Sequence, residues 1–263
     1  MDKTKIEWAD MTWNPVTGCK HGCVYCYARK IAERFGGHTL FGEKSTDNPF
    51  GNNIALIEPL KTTDAKGNKV NAPYPFGFNP TFHKYRLHEP ARKQRKRNIF
   101  VGSMCDLFGD WVPTKWIVEI LDACQRAGWH NYMFLTKNPK RYIELDELAL
   151  LPRESNFWYG TSINKVNDPY FTSEHHKTFI SIEPMMEDIA LALSYKNLDW
   201  VIVGAETGNR SDKVIPQISW LTTLSSICIW KEDIPIFMKN NLKEVIPEDL
   251  LIQIYPRELL KNE

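Results

Sequence analysis

Three of the six cysteines, Cys19, Cys23 and Cys26, fall within eight residues in the stretch "WNPVTGCKHGCVYCYARKIAERF", spaced C-x3-C-x2-C. Thiolates at such spacing ligate soft metal centres. A four-iron, four-sulfur cluster uses four cysteines when fully ligated by the chain, so three local ones leave one iron open to a ligand bound through nitrogen and oxygen. Gly18 and Gly22 permit the tight turns by which a loop wraps a cluster and directs backbone N–H groups toward it. Zinc is the competing reading, because both spacings fall in its ligand range. His21, wedged between two of the cysteines, has poor tetrahedral reach, and no second C-x2-C follows. A zinc site would therefore need a distant fourth ligand, and Cys105 could close either kind of site. Simple packing is the third reading, and it suits Cys124 and Cys228, which stand alone on apolar helical stretches.

Positioning such a loop requires a framework, and short β-rich runs recur along the chain, each ending in polar residues. They are 98–106, 131–138, 157–163, 178–184, 199–206 and 234–240, preceded by a first strand near 11–17. Between them lie helical patterns at 25–35, 113–128, 139–149, 185–196, 216–228 and 247–252, the second opened by a proline and closed by Gly128. Continuously apolar strands alternating with helices predict an α/β fold with a parallel sheet. Six or seven such units predict a single-domain, complete or partial β/α barrel over residues 1–263. Catalytic groups in that architecture collect at the carboxyl ends of the strands, here Ser103 to Asp106, Thr136 and Lys137, Thr161 and Ser162, Glu183, Glu206 and Lys239. Residues 36–98 interrupt the alternation with Gly, Pro, Asn and aromatics, and read as a long, mostly irregular insertion packed on the barrel.

The 263 residues are 43% hydrophobic and 25% charged, the values of an ordinary globular protein, and a formal charge of +1 advertises no global polyanion partner. No apolar run approaches the ~20 residues of a membrane span, and "MDKTKIEWADMTW" lacks the apolar core of a secretory signal. The expectation is a cytoplasmic protein with no membrane partner, whose cysteines serve as metal ligands or core thiols and not as disulfides.

C-x3-C-x2-C after a first strand, with Tyr25 before the third cysteine, resembles the signature of the radical S-adenosylmethionine superfamily. More of the chain resembles the phage Gp37/Gp68 family (DUF5131), also described as three-Cys-motif proteins. The similarity runs through "KIEWADMTWNPVTGC", "CVYCYA", "FNPTFHKYRLHEP", "IFVGSMCDLFGDWVP", "FLTKNPKR", "SIEPMM", "LDWVIVGAETG" and "IPIFMKN". The resemblance implies a [4Fe-4S] cluster on Cys19, Cys23 and Cys26, with the amine and carboxylate of S-adenosylmethionine on the open iron. Reductive cleavage would yield a 5′-deoxyadenosyl radical that abstracts hydrogen from a substrate. A reductant such as flavodoxin or ferredoxin is implied as partner, and a gene-neighbour protein as a further one. Where the superfamily carries a Gly-Gly-Glu-like stretch this chain has "GSMCDLFGD", so Ser103 and Asp106 stand in as cofactor-binding candidates. Tyr25, Ser162, Glu183 and Glu206 complete that set. The plainer role for Glu183 and Glu206 is an ion pair with Lys137 or Lys239.

"HKYRLHEPARKQRKRN", 83–98, sets Lys84, Arg86, Arg92, Lys93, Arg95, Lys96 and Arg97 against one acid, Glu89. Such a run is either a solvated face or a set of phosphate contacts. With Lys137 and Lys239, Arg92 to Arg97 are the candidates for contact with substrate or nucleic acid. Two functions are carried forward: a radical S-adenosylmethionine enzyme, with nucleic acid a candidate substrate, and a non-catalytic module, zinc or iron–sulfur stabilised, that binds nucleic acid or serves a mobile element as an adaptor.

Overall fold

The computed structural model describes residues 1–35, 54–64, 66–208 and 210–260. Strands β1 (Asp2–Lys3), β2 (Met11–Trp13) and β3 (Val16–Thr17) lead into helix α1 (Tyr27–Phe35). Strands β4 (Ile54–Leu56), β5 (Lys61–Thr63), β6 (Lys69–Asn71) and β7 (Thr81–His83) follow. Strand and helix then alternate through β8 (Asn98–Val101), α2 (Thr114–Arg126), β9 (Asn131–Thr136), α3 (Lys140–Glu147) and β10 (Phe157–Ile163). The series closes with β11 (Lys177–Ile182), β12 (Trp200–Val203), α4 (Ile218–Ser226) and β13 (Ile236–Met238).

The large sheet has the order β1-β2-β8-β9-β10-β11-β12-β13, and every pairing in it is parallel except that of β1 with β2. Each parallel strand thus lies beside its successor in the series. Side chains alternate between the two faces. Ile99, Val101, Tyr132, Phe134, Phe157 and Tyr159 point toward the helices, and with α2 and α3 they make one core. Farther along, Ile180, Ile182, Val201, Val203, Ile236 and Met238 do the same with α4. The opposite face carries Phe100, Met133, Trp158, Phe179, Trp200, Ile202 and Phe237.

A closed barrel, one form of the sequence expectation, is not formed: among the described residues β1 and β13 do not pair, and the sheet is open. The face that a barrel would bury against itself is covered instead by Trp8, Leu259 and Tyr255, from segments before β2 and after β13. Its aromatics pack tightly. A Cβ on Gly160 would lie 2.2 Å from the Phe179 ring, so the absence of a side chain there is what seats that ring.

Several local expectations are corrected. The strand over 11–17 is broken after Trp13, because Asn14 and Pro15 turn the chain out of the large sheet, and Val16–Thr17 joins a second sheet of order β3-β7-β4. Residues 185–196 form a single 3₁₀ turn at Ala190–Ala192, since Met185, Ile189 and Ala190 already bury their side chains in an irregular path. Residues 247–252 likewise give only the turn Glu248–Leu250. Helix α4 continues into a wider π turn over Ile227–Lys231. The insertion is more regular than its composition suggested, with β7 as the central strand of the second sheet and β5–β6 a hairpin; its residues 36–53 lie outside the described residues. No described helix is long and apolar enough to cross a membrane.

Candidate functional site

The site is assembled where β2 and β8 end. Asn14, just past β2, accepts hydrogen bonds on Oδ1 from Met104 N (2.9 Å) and Ser103 Oγ (3.2 Å), tying the two strand ends together. Gly18 N donates to Met104 O at 2.9 Å, and Gly18 bridges Cys105 in parallel register. With φ of +91° and space for a Cβ only 2.4 Å from the Asn79 backbone, position 18 admits glycine alone without displacement. Cys19 N then donates to Phe78 O at 3.2 Å. The first cysteine is therefore gripped between the end of β8 and the insertion.

The third cysteine sits at the start of α1. Arg29 N donates to Cys26 Sγ at 3.3 Å, and Arg29 Nη2 to Cys19 O at 3.4 Å. Ala28 and Ala32 press α1 against Phe78 and Met104, beside Cys19 and Cys26. Burial pushes the Cys19 thiol up to about 12, and the negative charges of Asp106, Cys26 and Cys23 act in the same direction against a backbone hydrogen bond at His21. A metal bound there would reverse the balance by taking the proton's place.

Asp106 accepts more donors than any other carboxylate near the loop: Thr136 Oγ1 (2.7 Å) and Phe108 N (3.1 Å) on one oxygen, His21 Nε2 (2.7 Å) and Lys137 N (2.9 Å) on the other. It is buried, with both oxygens in use, and it anchors the cysteine loop through His21, whose ring also meets Trp111 edge-on at 4.8 Å. Sequence reasoning treated His21 only as a poor zinc ligand, and the signal for its anchoring role is absent from spacing alone.

Along the face bearing Trp158 and Phe179, the strand ends carry the polar groups. Lys137 Nζ donates to Ser162 Oγ (3.1 Å) and Asn164 Oδ1 (2.8 Å), and Tyr25 OH donates to the same Asn164 Oδ1 at 2.6 Å. Tyr25 thereby carries the cysteine loop across to the end of β10, with Lys137 over its ring at 5.5 Å. Burial pulls the Lys137 amine below its usual value, opposed by negative charge at Cys23, Asp168, Asp106 and Cys19. Lys239 pairs with Glu183, the ion pair foreseen from sequence. Glu206 instead takes Arg210, with Nε and Nη2 each 2.8 Å from its oxygens, and that hydrogen-bonded guanidinium holds its carboxyl below the usual carboxylate range. Ser181, one step below Glu183 on the same strand face, is 1% exposed and its hydroxyl has no hydrogen-bond partner among the described residues. Asn14, Asn164 and Arg210 are residues that sequence reasoning missed; for Asn14 and Asn164 the position directly after a strand was the available signal.

Ser103 lies at the rim through its backbone, its carbonyl accepting from Tyr27 OH at 2.6 Å. Arg92, Lys93, Arg95, Lys96 and Arg97 lie apart, before the first residue of β8 and so at the opposite end of the sheet. Among the described residues, no three His, Cys, Asp or Glu side chains stand together as a ready cation cage.

Residues 3–244 match the family described as "protein of unknown function (DUF5131)". The chain belongs to the DUF5131 family. Searches of curated proteins and of solved structures gave no significant match. In this DUF5131 chain the matched region holds the cysteine loop, the rim and every strand of the large sheet except its first residue, Asp2. Three thiols of the kind that soft metal centres take lie on one loop, Cys19 between Gly18 and Gly22 and Cys23 and Cys26 after them, with both glycines in the left-handed region at φ +91° and +69°; their side chains do not converge on a common point among the described residues.

Proposed function

We propose that this protein is an iron–sulfur enzyme that reductively cleaves S-adenosylmethionine and uses the resulting radical on a substrate. The observation that carries the reading is that a three-thiol loop is tied by Gly18 and His21 to the segment after β8 and by Tyr25 to the carboxyl end of β10, two parallel strands of the large sheet. Catalytic groups of parallel α/β folds gather at those ends. Cys19, Cys23 and Cys26 would hold a [4Fe-4S] cluster. Bound there, the cluster would supply the single electron that breaks the sulfonium C–S bond, giving methionine and a 5′-deoxyadenosyl radical.

The chain's own groups divide the remaining work. Lys137, Ser162 and Asn164 offer donors and acceptors to a polar ligand on the rim. Glu183 with Lys239, and Glu206 with Arg210, present charge already paired, so a ligand could exchange for one partner without stranding the other in a buried site. Asp106 holds the loop and has no free oxygen for a cofactor.

Anaerobic reconstitution with iron and sulfide, followed by assay for 5′-deoxyadenosine under dithionite, tests the reading. Wild type should load a cluster and form the nucleoside, and Cys26→Ala should do neither. A cluster-loaded Cys26→Ala protein would count against it. One observation favours a second reading, a closed, non-catalytic metal module: the backbone of Cys105 bridges Gly18, the residue before Cys19. Cys105→Ser decides, since loss of metal means closure by a fourth thiol and retention means an open iron.

A further inference from the structure

The basic segment divides sharply in the fold. Lys84 pairs with Glu119 at 2.9 Å and Arg86 donates to Asn14 O at 3.0 Å, so both serve the structure, and the segment's single acid, Glu89, is taken by the amine of Met1. Arg92, Lys93, Arg95, Lys96 and Arg97 form no ion pair among the described residues, and the first four are exposed. Most of this unneutralised charge is thus free for an outside partner.

It is also held in place. His130, fully buried, accepts from Arg97 N on Nδ1 (3.2 Å) and so donates from Nε2 to Pro90 O (3.1 Å), bracing the segment at both ends. Trp129 Nε1 donates to Lys93 O at 2.8 Å while the residue stays 41% exposed. The result is a braced row of cations beside an indole fixed by its N–H edge. Arg126, also exposed, ends α2 three residues away. Cations that follow a phosphate chain, next to an aromatic surface on which any base can stack, are the requirements for single-stranded nucleic acid.

We infer that Arg92, Lys93, Arg95 and Lys96, with Trp129, form a docking surface for single-stranded nucleic acid at the end of the sheet opposite the cysteine loop. Strand β8 alone separates the two ends by about 13 Å, so this surface is distinct from the rim and does not depend on a cluster being bound. Phosphate contacts contribute through counterion release, and four of them predict a slope of log K on log salt of about −3.

The test is fluorescence anisotropy of the full chain with labelled oligothymidylate and oligouridylate over a salt series, beside Arg95→Glu/Lys96→Glu and Trp129→Ala. Binding with the stated slope, weakened at least tenfold by the charge reversal and severalfold by loss of the indole, supports the inference; preference for one oligonucleotide tells DNA from RNA. Both altered positions of the double variant are exposed, and circular dichroism checks that it folds. Three results would overturn the proposal: no binding at low salt, equal binding by the double variant, or binding of phosphatidylserine vesicles without the oligonucleotides. Cys26→Ala should bind as wild type does, which separates failure here from failure of the enzymatic reading.

Discussion

Asp106 shows how a single carboxylate can be spent. Both oxygens accept two donors, from Thr136, Phe108, His21 and Lys137, so a carboxylate that resembled a cofactor ligand in sequence is the bolt of the cysteine loop. Asp106→Asn replaces one acceptor by an NH₂ group facing donors. We expect a loss of about 2–3 kcal/mol in denaturant unfolding, together with poorer iron incorporation; unchanged stability would mean that the network is dispensable. Burial of Cys19 raises its thiol to about 12, against the demand of any metal for a thiolate. Such a site gains its metal by exchange for protons.

At the scale of elements, the seven parallel strands were legible because each is a short, continuously apolar run ending in polar residues, and β10 matched its expected limits. The helices over 185–196 and 247–252 were not, since apolar residues at helical spacing also suit an irregular segment that buries one side chain per turn. The second sheet escaped notice because β3, β4 and β7 are two or three residues each, too short for periodicity to register. Of the site, the cysteines and strand-end polar residues could be read from position. Their partners could not, because Tyr25 to Asn164 and His21 to Asp106 are contacts between residues 139 and 85 apart. The joint that these elements share is Gly18. Gly18→Ala must move the loop away from the Asn79 backbone, and we expect it to destabilise the fold by more than about 1 kcal/mol and to lower iron loading. Full loading with unchanged thermal stability would show that the joint has slack.

Across the whole molecule, the packed interior leaves little room for charge, and the buried histidines around its two sheets record that. Burial first, with Arg86 adding to it, pulls His83 down to about 3, and burial also lowers His130 and His176. A base whose pKa is depressed by folding contributes stability that is complete above its unfolded value, ~6.5, and is lost as pH falls toward the folded value. For His83 that window runs from ~6.5 to about 3, with a slope of about 1.4 kcal/mol per pH unit. His83→Gln should flatten the pH dependence of unfolding by one proton in that window, while weakening the fold at pH 7 through its bonds to Thr17 and Tyr85. An unaltered pH slope would contradict the assignment. The architecture also separates two ends: the thiol loop and polar rim at the carboxyl ends of the strands, and a braced basic surface at the amino end of β8. The most direct test of the central claim is electron paramagnetic resonance of anaerobically reconstituted, dithionite-reduced protein before and after S-adenosylmethionine is added. A reduced-cluster signal that changes shape with the cofactor is the predicted result. A cluster signal indifferent to it, or stoichiometric zinc with no iron signal, would contradict the claim.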